Sequence, residues 1–371
     1  MDLLRPTVGY TGETADEPLE VRSLAVSGPA VSEDVAVLSL ADGRYSRVEL
    51  AHELRRPRLV PFRRTANGWE LRLERPPVDR LEYLLELEHR DGRVARVPDA
   101  DNPLRARGAF GEKSVLEYPE YEPPGWVLDE ESQRGELRTL PLTSRLLHRT
   151  TETLLWSAAE TDPLEPLPLL VVHDGPDYAE FSEILRLFDH LVAFAELPPF
   201  RAVLLPPPPG RNEMYSASAR YARVLAEEWL QALAVAAPFT GRPVALGASL
   251  GALSFLHVHW TRPGLLGGLF LQSGSFFRRR FDAHESHVDR FERITRFVST
   301  VAGSGAGPDP VPVTLTCGTG EENLDNNRFL SAALAARGWD APLVEHRDAH
   351  NWISWRDTLH PHLAELVLRA T

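Results

Sequence analysis

The spacing of apolar and polar residues divides the chain into two regions of different character. From about residue 20 to 118, short segments alternate apolar and polar positions between turn residues, as in VAVLSLADGRYSRVEL (35–50). A period of two predicts strands that bury one face, and many short strands joined by Asp-Gly turns are typical of an immunoglobulin-like β-sandwich. We expect this first domain to cover residues 1–130, with residues 1–20 extended or disordered and a proline-rich linker at its end.

The second region alternates continuous apolar runs with segments of helical periodicity. Runs such as LLVV (169–172) and VALGA (244–248) are as apolar as strands that are buried on both faces. Between such runs, segments such as ARYARVLAEEWLQALAV (219–235) repeat apolar residues at helical spacing. This alternation predicts an α/β domain with a mostly parallel central sheet over residues 131–371. Reactive side chains in such sheets collect at the carboxyl ends of the strands.

One predicted strand end carries the pattern Gly247-Ala-Ser249-Leu-Gly251. In G-x-S-x-G the serine occupies a strained turn between a strand and a helix, where its hydroxyl is exposed as a nucleophile. The apolar RPVAL before the motif and the helix-like ALSFLHVHW after it supply the context that the motif requires. The alternative is that Ser249 is a small residue in an apolar core segment. The context favours the nucleophile.

A histidine at a later strand end is the candidate general base. His350 lies between a predicted strand and the last helices of the chain, and an imidazole has the pKa near 7 that this role requires. His257 and His259 fall inside the helix that follows Ser249, and we interpret them as packing or surface residues.

Three acidic residues lie between Ser249 and His350, at the end of another predicted strand. Glu321 comes first after that strand and is the favoured acid to orient the imidazole, with Glu322 and Asp325 as alternatives. The order serine, acid, histidine is that of α/β-hydrolases.

Backbone N–H groups near Ser249 are expected to form an oxyanion hole. The N–H of Leu250, the residue after the candidate nucleophile, is the first donor. The second is expected from the loop His173-Asp-Gly175-Pro176-Asp177, where Pro176 has no N–H and Gly175 or Asp177 must supply the donor.

Composition and charge exclude several classes of function. The formal net charge of −13 argues against a general nucleic-acid-binding protein. The single cysteine, Cys317, cannot form an internal disulfide, and no apolar run approaches the roughly 18 residues of a membrane span. We therefore expect a cytoplasmic protein without membrane association, and a homodimer is an assembly that the sequence permits. The histidines and the cysteine show no metal-ligand spacing, so we expect no metal and no cofactor.

Several motifs together resemble those of enterochelin (enterobactin) esterase-like proteins, an α/β-hydrolase family. These motifs are VVHDGPDY (171–178), GRNEMYSA (210–217), QSGSFF (272–277) and DAHNWISWRD (348–357). The segments GWELRLERPPVDRLEYLLELE (68–88) and DADNPLRARGAFGEKSVLEYP (99–119) are similar to the N-terminal domain of that family, which resembles glycogen-binding modules.

The resemblance implies a catalytic triad of Ser249, Glu321 and His350 that hydrolyses carboxylic esters, including the trilactone backbone of catecholate siderophores. Feruloyl or acetyl ester hydrolysis and acyl transfer are alternatives within the family. A catalytically weak ligand-binding protein is a third alternative, because Pro176 stands where many relatives offer an N–H. Ala349 and Asn351 also replace the glycine and aspartate that usually flank the histidine.

Candidate residues for the substrate pocket are predicted from the same motifs and from the negative charge of a ferric siderophore. The motif at 210–217 is implied to line the cleft, and a ferric siderophore is anionic, so binding it requires cations near the cleft. The arginines at 278–280 are candidates for that role, although a solvated arginine-rich loop is the alternative. Trp69 and Trp126 either stack on a sugar or serve as core or lid residues. The candidate pocket residues are His173, Asp174, Arg211, Glu213, Tyr215 and Arg278.

Overall fold

The computed structural model describes residues 28–41, 45–129, 134–303, 305 and 307–370. The N-terminal segment that is expected to be extended, residues 1–20, lies outside the described residues.

Two antiparallel sheets form the N-terminal part. The first has the order β1-β2-β6-β5, and the second has the order β4-β3-β7-β10-β9, with β8 also paired to β7. Alternate residues of both sheets, such as Leu38, Leu50 and Tyr83, point into one shared core. The strands are β1 (Ala30–Val31), β2 (Val35–Ala41), β3 (Tyr45–His52), β4 (Leu59–Pro61), β5 (Arg63–Thr65), β6 (Gly68–Glu74), β7 (Arg80–His89), β8 (Val94–Val97), β9 (Arg105–Ala106) and β10 (Lys113–Glu117).

One eight-stranded sheet forms the rest of the chain, in the order β11-β12-β14-β13-β15-β16-β17-β18. Its first two pairings, β11 with β12 and β12 with β14, are antiparallel, and all the others are parallel. The strands are β11 (Glu136–Ser144), β12 (Arg149–Ser157), β13 (Leu169–His173), β14 (Arg201–Leu205), β15 (Val244–Ala248), β16 (Gly268–Gln272), β17 (Val313–Gly318) and β18 (Leu343–His346). The predicted, mostly parallel sheet is therefore present.

Helices cover both faces of this sheet, because each central strand is apolar on both sides. In β13, Leu169 and Val171 face one core and Leu170 and Val172 face the other. The α-helices are α1 (Gly175–Phe181), α2 (Ile184–Ala193), α3 (Arg211–Tyr215), α4 (Ala219–Arg223), α5 (Leu230–Ala236), α6 (Leu250–Thr261), α7 (Phe291–Ala302), α8 (Leu324–Ala335), α9 (Trp352–Asp357) and α10 (His362–Ala370). A π-helical segment (Val224–Trp229) joins α4 to α5, and short 3₁₀ helices cover Gly125–Leu128 and Ala283–Glu285. Within the described part of the chain, every helix is too short or too polar to cross a lipid bilayer.

The structure departs from the predicted elements in two places. The segment YAEFSEILRLFDHLVAFAEL (178–197) has helical periodicity, but it is split into α1 and α2, because Glu183 adopts a left-handed conformation with φ of 50°. The hairpin expected between β2 and β3 does not form: β2 pairs with β6, whereas β3 pairs with β7 in the other sheet.

The two tryptophans that raised the question of sugar stacking are both buried. Trp69 is 7% exposed in the N-terminal core, and Trp126 is 2% exposed in a core of the α/β part. Both side chains therefore pack within the protein.

The N-terminal sheets pack onto loops at the carboxyl ends of the large sheet. The N–H of Arg55 donates to the carbonyl of Gly320, and the N–H of Asp79 donates to the carbonyl of Arg347. Ala349, next to the candidate histidine, is part of the N-terminal core. This packing brings the N-terminal part against the edge of the sheet where the predicted site lies.

Candidate active site

Ser249 occupies the sharp turn between β15 and α6. Its φ of 56° and ψ of −122° are a strained conformation for a residue with a Cβ. Three backbone hydrogen bonds stabilise this conformation: Ser249 N–H donates to Gln272 O at 2.9 Å, and Ser249 O accepts from the N–H groups of Ser275 and Leu253. This is the geometry that the G-x-S-x-G pattern predicts for a nucleophile.

The two glycines of the motif lie where other atoms approach the serine turn so closely that a side chain would be crowded. A Cβ on Gly247 would lie 2.8 Å from the carbonyl carbon of Gly251. A Cβ on Gly251 would lie 3.3 Å from the Cβ of His173 and 3.5 Å from the Asp174 carboxylate. Because both positions lack a Cβ, β13 and α6 can approach the serine turn closely.

His350 and Glu321 form a hydrogen-bonded pair at the same edge of the sheet. His350 Nδ1 lies 2.8 Å from Glu321 Oε2. Glu321 is buried, and its other oxygen accepts hydrogen bonds from Ser273 Oγ at 2.6 Å and from Gly318 N–H at 2.9 Å. All of the carboxylate's short contacts thus support its ionised form.

Each member of this pair shifts the pKa of the other toward its charged form: the pKa of Glu321 is lowered and that of His350 is raised. Burial raises the pKa of Glu321, but the His350 charge and the hydrogen bonds outweigh burial and hold the pKa below its usual value. Burial lowers the pKa of His350, but the Glu321 charge and hydrogen bond outweigh it and raise the pKa. Glu321 therefore has the position and charge to orient the imidazole and to stabilise its protonated form.

The two alternative acids lie in other ion pairs. Glu322 pairs with Arg56 and Arg58, and the exposed Asp325 pairs with Arg55 and Arg328. Of the three candidates, only Glu321 is hydrogen-bonded to His350.

Ser249 and His350 line the same two cavities. One has a volume of about 560 Å³ and the other about 310 Å³, and Glu321 also lines the smaller one. The Ser249 hydroxyl is hydrogen-bonded to Ser275 Oγ at 3.2 Å. The candidate nucleophile and the candidate base therefore open onto the same cavities.

The structure narrows the candidates for the oxyanion hole. Leu250 is the first residue of α6, so its N–H has no acceptor within the helix and lies at the positive end of the helix dipole. The Asp177 N–H already donates to Asp174 O at 3.0 Å within α1, which leaves Gly175 as the second donor of the two that were considered. Pro176 is in the first turn of α1, where proline is favoured because no N–H is needed.

Two predicted pocket residues, Asp174 and Arg211, do line the larger cavity. The Arg211 guanidinium binds the Asp174 carboxylate through two hydrogen bonds, of 2.9 and 2.7 Å. The guanidinium also lies over the Tyr215 ring, 5.0 Å from its centroid. The pair thus forms a rigid, mutually neutralised part of the wall.

The other four predicted pocket residues do not line either cavity. His173 and Tyr215 are fully buried behind the serine turn, where His173 bonds to Gly251 O and Tyr221 and burial lowers its pKa to about 3. Glu213 pairs with Arg290 and Arg293 on the surface. Arg278 bonds to Asn326 and to Asp282. The sequence predicts these four side chains in the pocket, whereas the structure places them outside both cavities, in contact with the partners just named.

The N-terminal part supplies a wall that the sequence did not predict. Gly108, Ala109, Phe110 and Gly111 form a loop beside the larger cavity, together with Lys113, Glu53 and Glu82. Phe110 is fully exposed, and Gly108 lies against the Trp352 ring of the α/β part. Apart from the position of the loop between two strands, no feature of the sequence indicates this contact.

Ser273 is a second residue that sequence reasoning missed. It follows β16, donates its hydroxyl proton to Glu321 and accepts a hydrogen bond from Trp355 Nε1 at 3.0 Å. Its place in QSGSFF, at a strand end next to the serine turn, was the available signal.

Asp348, two residues before His350, is a buried carboxyl whose pKa is raised to about 7, chiefly by burial and against the charge of Arg80. Because the folded pKa exceeds the unfolded one, this group's contribution to stability is lost as pH rises from about 4 to about 7. We expect Asp348→Asn to be more stable than the wild type at pH 8, on the order of 3 kcal/mol, and to lose that advantage below pH 4. Urea unfolding between pH 4 and 8 measures this difference. An advantage that is independent of pH would contradict it.

The chain is similar in sequence to one group of known proteins and similar in structure to members of the same group, whereas no family model matches it. The iron(III) enterobactin esterase of Dickeya dadantii (strain 3937) is 26% identical over 235 residues, which are 61% of this chain and about half, 53%, of that relative. The chain resembles the enterobactin esterases. The crystal structure of the enterobactin esterase from Shigella flexneri in the presence of enterobactin has a TM-score of 0.74. It is 20% identical, and the alignment covers 94% of this chain and 99% of that one.

A second enterobactin esterase gives a similar result. The ferric enterobactin esterase of Salmonella typhimurium has a TM-score of 0.70 at 19% identity, with 92% of this chain and 96% of that chain covered. These structural likenesses show that the chain has the fold of the enterobactin esterases.

Proposed function

We propose that this chain is a serine esterase that hydrolyses carboxylic esters through an acyl-enzyme. The observation that carries the proposal is Ser249 in a strained strand-to-helix turn, lining the same cavity as a histidine that is hydrogen-bonded to a buried carboxylate. The sheet order and strand-end loops support an α/β-hydrolase domain over residues 131–371. The two antiparallel sheets with a shared core support an immunoglobulin-like domain within residues 1–130.

The mechanism follows from the positions of these groups. Ser249 Oγ attacks the ester carbonyl while His350 removes its proton, and Glu321 stabilises the imidazolium. The N–H groups of Leu250 and Gly175 stabilise the oxyanion. His350 then protonates the leaving alcohol, and a water activated by the same histidine releases the acid and restores Ser249.

The likeness to the enterobactin esterases favours a siderophore trilactone as the ester. Feruloyl or acetyl esters and acyl transfer to another alcohol remain alternatives with the same serine chemistry. A weak ligand-binding protein is disfavoured by the Glu321–His350 pair, since a non-catalytic site has no use for an imidazole that a buried carboxylate holds in place.

Labelling with a fluorophosphonate probe tests the proposal. We expect one covalent adduct per chain, located on the peptide that contains Ser249 by mass spectrometry. Ser275 is the matched control because its hydroxyl lies 3.2 Å from that of Ser249. Ser275→Ala should still be labelled and Ser249→Ala should not. An unlabelled wild type, or an adduct on Ser275, would contradict the assignment.

A further inference from the structure

The two cavities around Ser249 are lined by more negative than positive side chains. Seven carboxylates line them, against three permanent cations, Arg58, Lys113 and Arg211. The carboxylates are those of Glu53, Glu82, Asp174, Asp177, Glu285, Glu321 and Glu322. Two of these carboxylates also have cationic partners that do not line the cavities, since Glu82 pairs with Arg80 and Glu322 with Arg56. Over the lining residues alone the charge is negative, and the low-dielectric walls strengthen the field of these charges.

Each of the three cations is already paired with a lining carboxylate. Lys113 Nζ lies 2.8 Å from Glu53, Arg211 binds Asp174 with two hydrogen bonds, and Arg58 binds Glu322. An anionic substrate would have to break one of these pairs to gain a cationic partner, and breaking it would expose a carboxylate to the substrate.

Asp177 contributes negative charge to the larger cavity, and Arg211, which is bonded to Asp174, is a nearby cation that acts on it only through space. Within the described residues it has no ion-pair partner, and its half-buried carboxyl faces the larger cavity. Burial and the neighbouring Asp174 raise its pKa, as expected of a carboxylate in a negative environment.

The arginine run at 278–280 does not offset this charge at the cavity. Arg278 lies over the rings of Phe281 and Phe329, and Arg279 pairs with Glu292. Neither arginine lines either cavity.

Apart from Ser249, His350 and the uncharged amides of Asn212 and Asn351, the remaining walls of the larger cavity are apolar and aromatic. Phe110 and Trp352 lie on the side of the N-terminal loop, and Trp355 lies near His350, with ring centroids 5.0 Å apart. Aromatic faces bind planar acyl groups and also attract cations, and they offer nothing to a carboxylate or a sulfonate.

We propose that this site selects esters that are uncharged or positively charged and rejects anionic ones. For a siderophore lactone, the substrate is then the metal-free form with protonated catechols rather than the multiply charged anionic ferric complex. This inference rests on the proposed esterase function and narrows its substrate class.

Three benzoate esters of matched shape test the inference. They carry a trimethylammonioethyl, a 3,3-dimethylbutyl or a 2-sulfonatoethyl group on the alcohol side. We expect kcat/KM at low ionic strength to be at least about tenfold higher for the cationic than for the anionic ester, with the neutral ester between them. Added salt to about 0.5 M should narrow the ratio.

Variants that remove one carboxylate each test whether the charge selectivity arises from the residues that line the cavities. Glu53→Gln and Asp177→Asn should each reduce the cation-to-anion ratio by about threefold or more, because each removes one cavity carboxylate. Glu152→Gln is the matched control: it removes the same charge from an exposed position on β12 that lines neither cavity, and the ratio should not change.

The outcomes separate this inference from the proposed function. Hydrolysis that depends on Ser249 with equal or greater kcat/KM for the anionic ester would overturn the charge selectivity and leave the esterase function standing. Hydrolysis that survives Ser249→Ala, or no hydrolysis of any ester, would overturn the esterase function itself. The same comparison with metal-free and ferric enterobactin should favour the metal-free form.

Discussion

The Ser249→Ala variant should lose ester hydrolysis almost completely, with kcat falling by about 10⁵- to 10⁶-fold. The variant removes only the hydroxyl oxygen, so the turn between β15 and α6 keeps its Cβ and its strained φ of 56°. Neither the Leu250 N–H nor the Glu321–His350 pair depends on that oxygen. The loss therefore measures nucleophilic catalysis alone.

Steady-state and burst kinetics with a p-nitrophenyl ester measure this effect. The wild type should release a burst of nitrophenol equal to the enzyme concentration, and the variant should release none. Ser275→Ala is the matched control, since it deletes the neighbouring hydroxyl at 3.2 Å, and it should change kcat by less than about tenfold. Unfolding midpoints should agree among the three proteins. A Ser249→Ala variant with more than one percent of wild-type turnover would exclude the mechanism.

The candidate nucleophile could be predicted from sequence because its determinants are local. An apolar strand, two glycines and a helix lie within about twenty residues, and together they fix the turn that holds Ser249. The parallel order of the large sheet was predictable for a similar reason, since continuous apolar runs indicate strands that are buried on both faces.

The sequence favours Glu321 as the acid but leaves two alternatives open. Glu321, Glu322 and Asp325 lie within five positions of one another, and all three follow β17. The choice depends on which carboxylate turns inward to meet His350, and that direction is set by hydrogen bonds from Ser273 and Gly318. The contacts of Glu321 with Ser273 and His350 join distant parts of the chain and leave no periodic pattern in the sequence.

The cavity walls were the least predictable part of the site. Arg278 and Glu213 follow elements that end near the cleft, yet each is held away from it by partners on other elements. Conversely, Phe110 and Lys113 lie far from the catalytic motifs in sequence and reach the cavity only because the N-terminal sheets pack onto the large sheet. The charge of the site therefore became apparent only when both parts of the chain were placed together.

Replacing Glu321 by glutamine should lower kcat/KM by about 10³- to 10⁴-fold. One Glu321 oxygen accepts from both Ser273 Oγ and Gly318 N–H, so the single oxygen of glutamine is expected to keep that position. The side-chain NH₂ then faces His350 Nδ1 and donates to it, which places the imidazole proton on Nε2. An Nε2 that carries a proton cannot accept one from Ser249.

The pH profile distinguishes this loss from simple damage to the fold. The Glu321 carboxylate raises the pKa of His350, and catalysis requires the neutral imidazole, so activity falls as pH decreases through that raised pKa. Removing the charge should therefore move the acidic limb of kcat/KM to lower pH. Glu322→Gln and Asp325→Asn are the matched controls: neither residue bonds to His350, and each variant should lose less than about tenfold with the acidic limb unmoved. If either control lost as much activity as Glu321→Gln and shifted the same limb, Glu321 would not be the acid that orients His350.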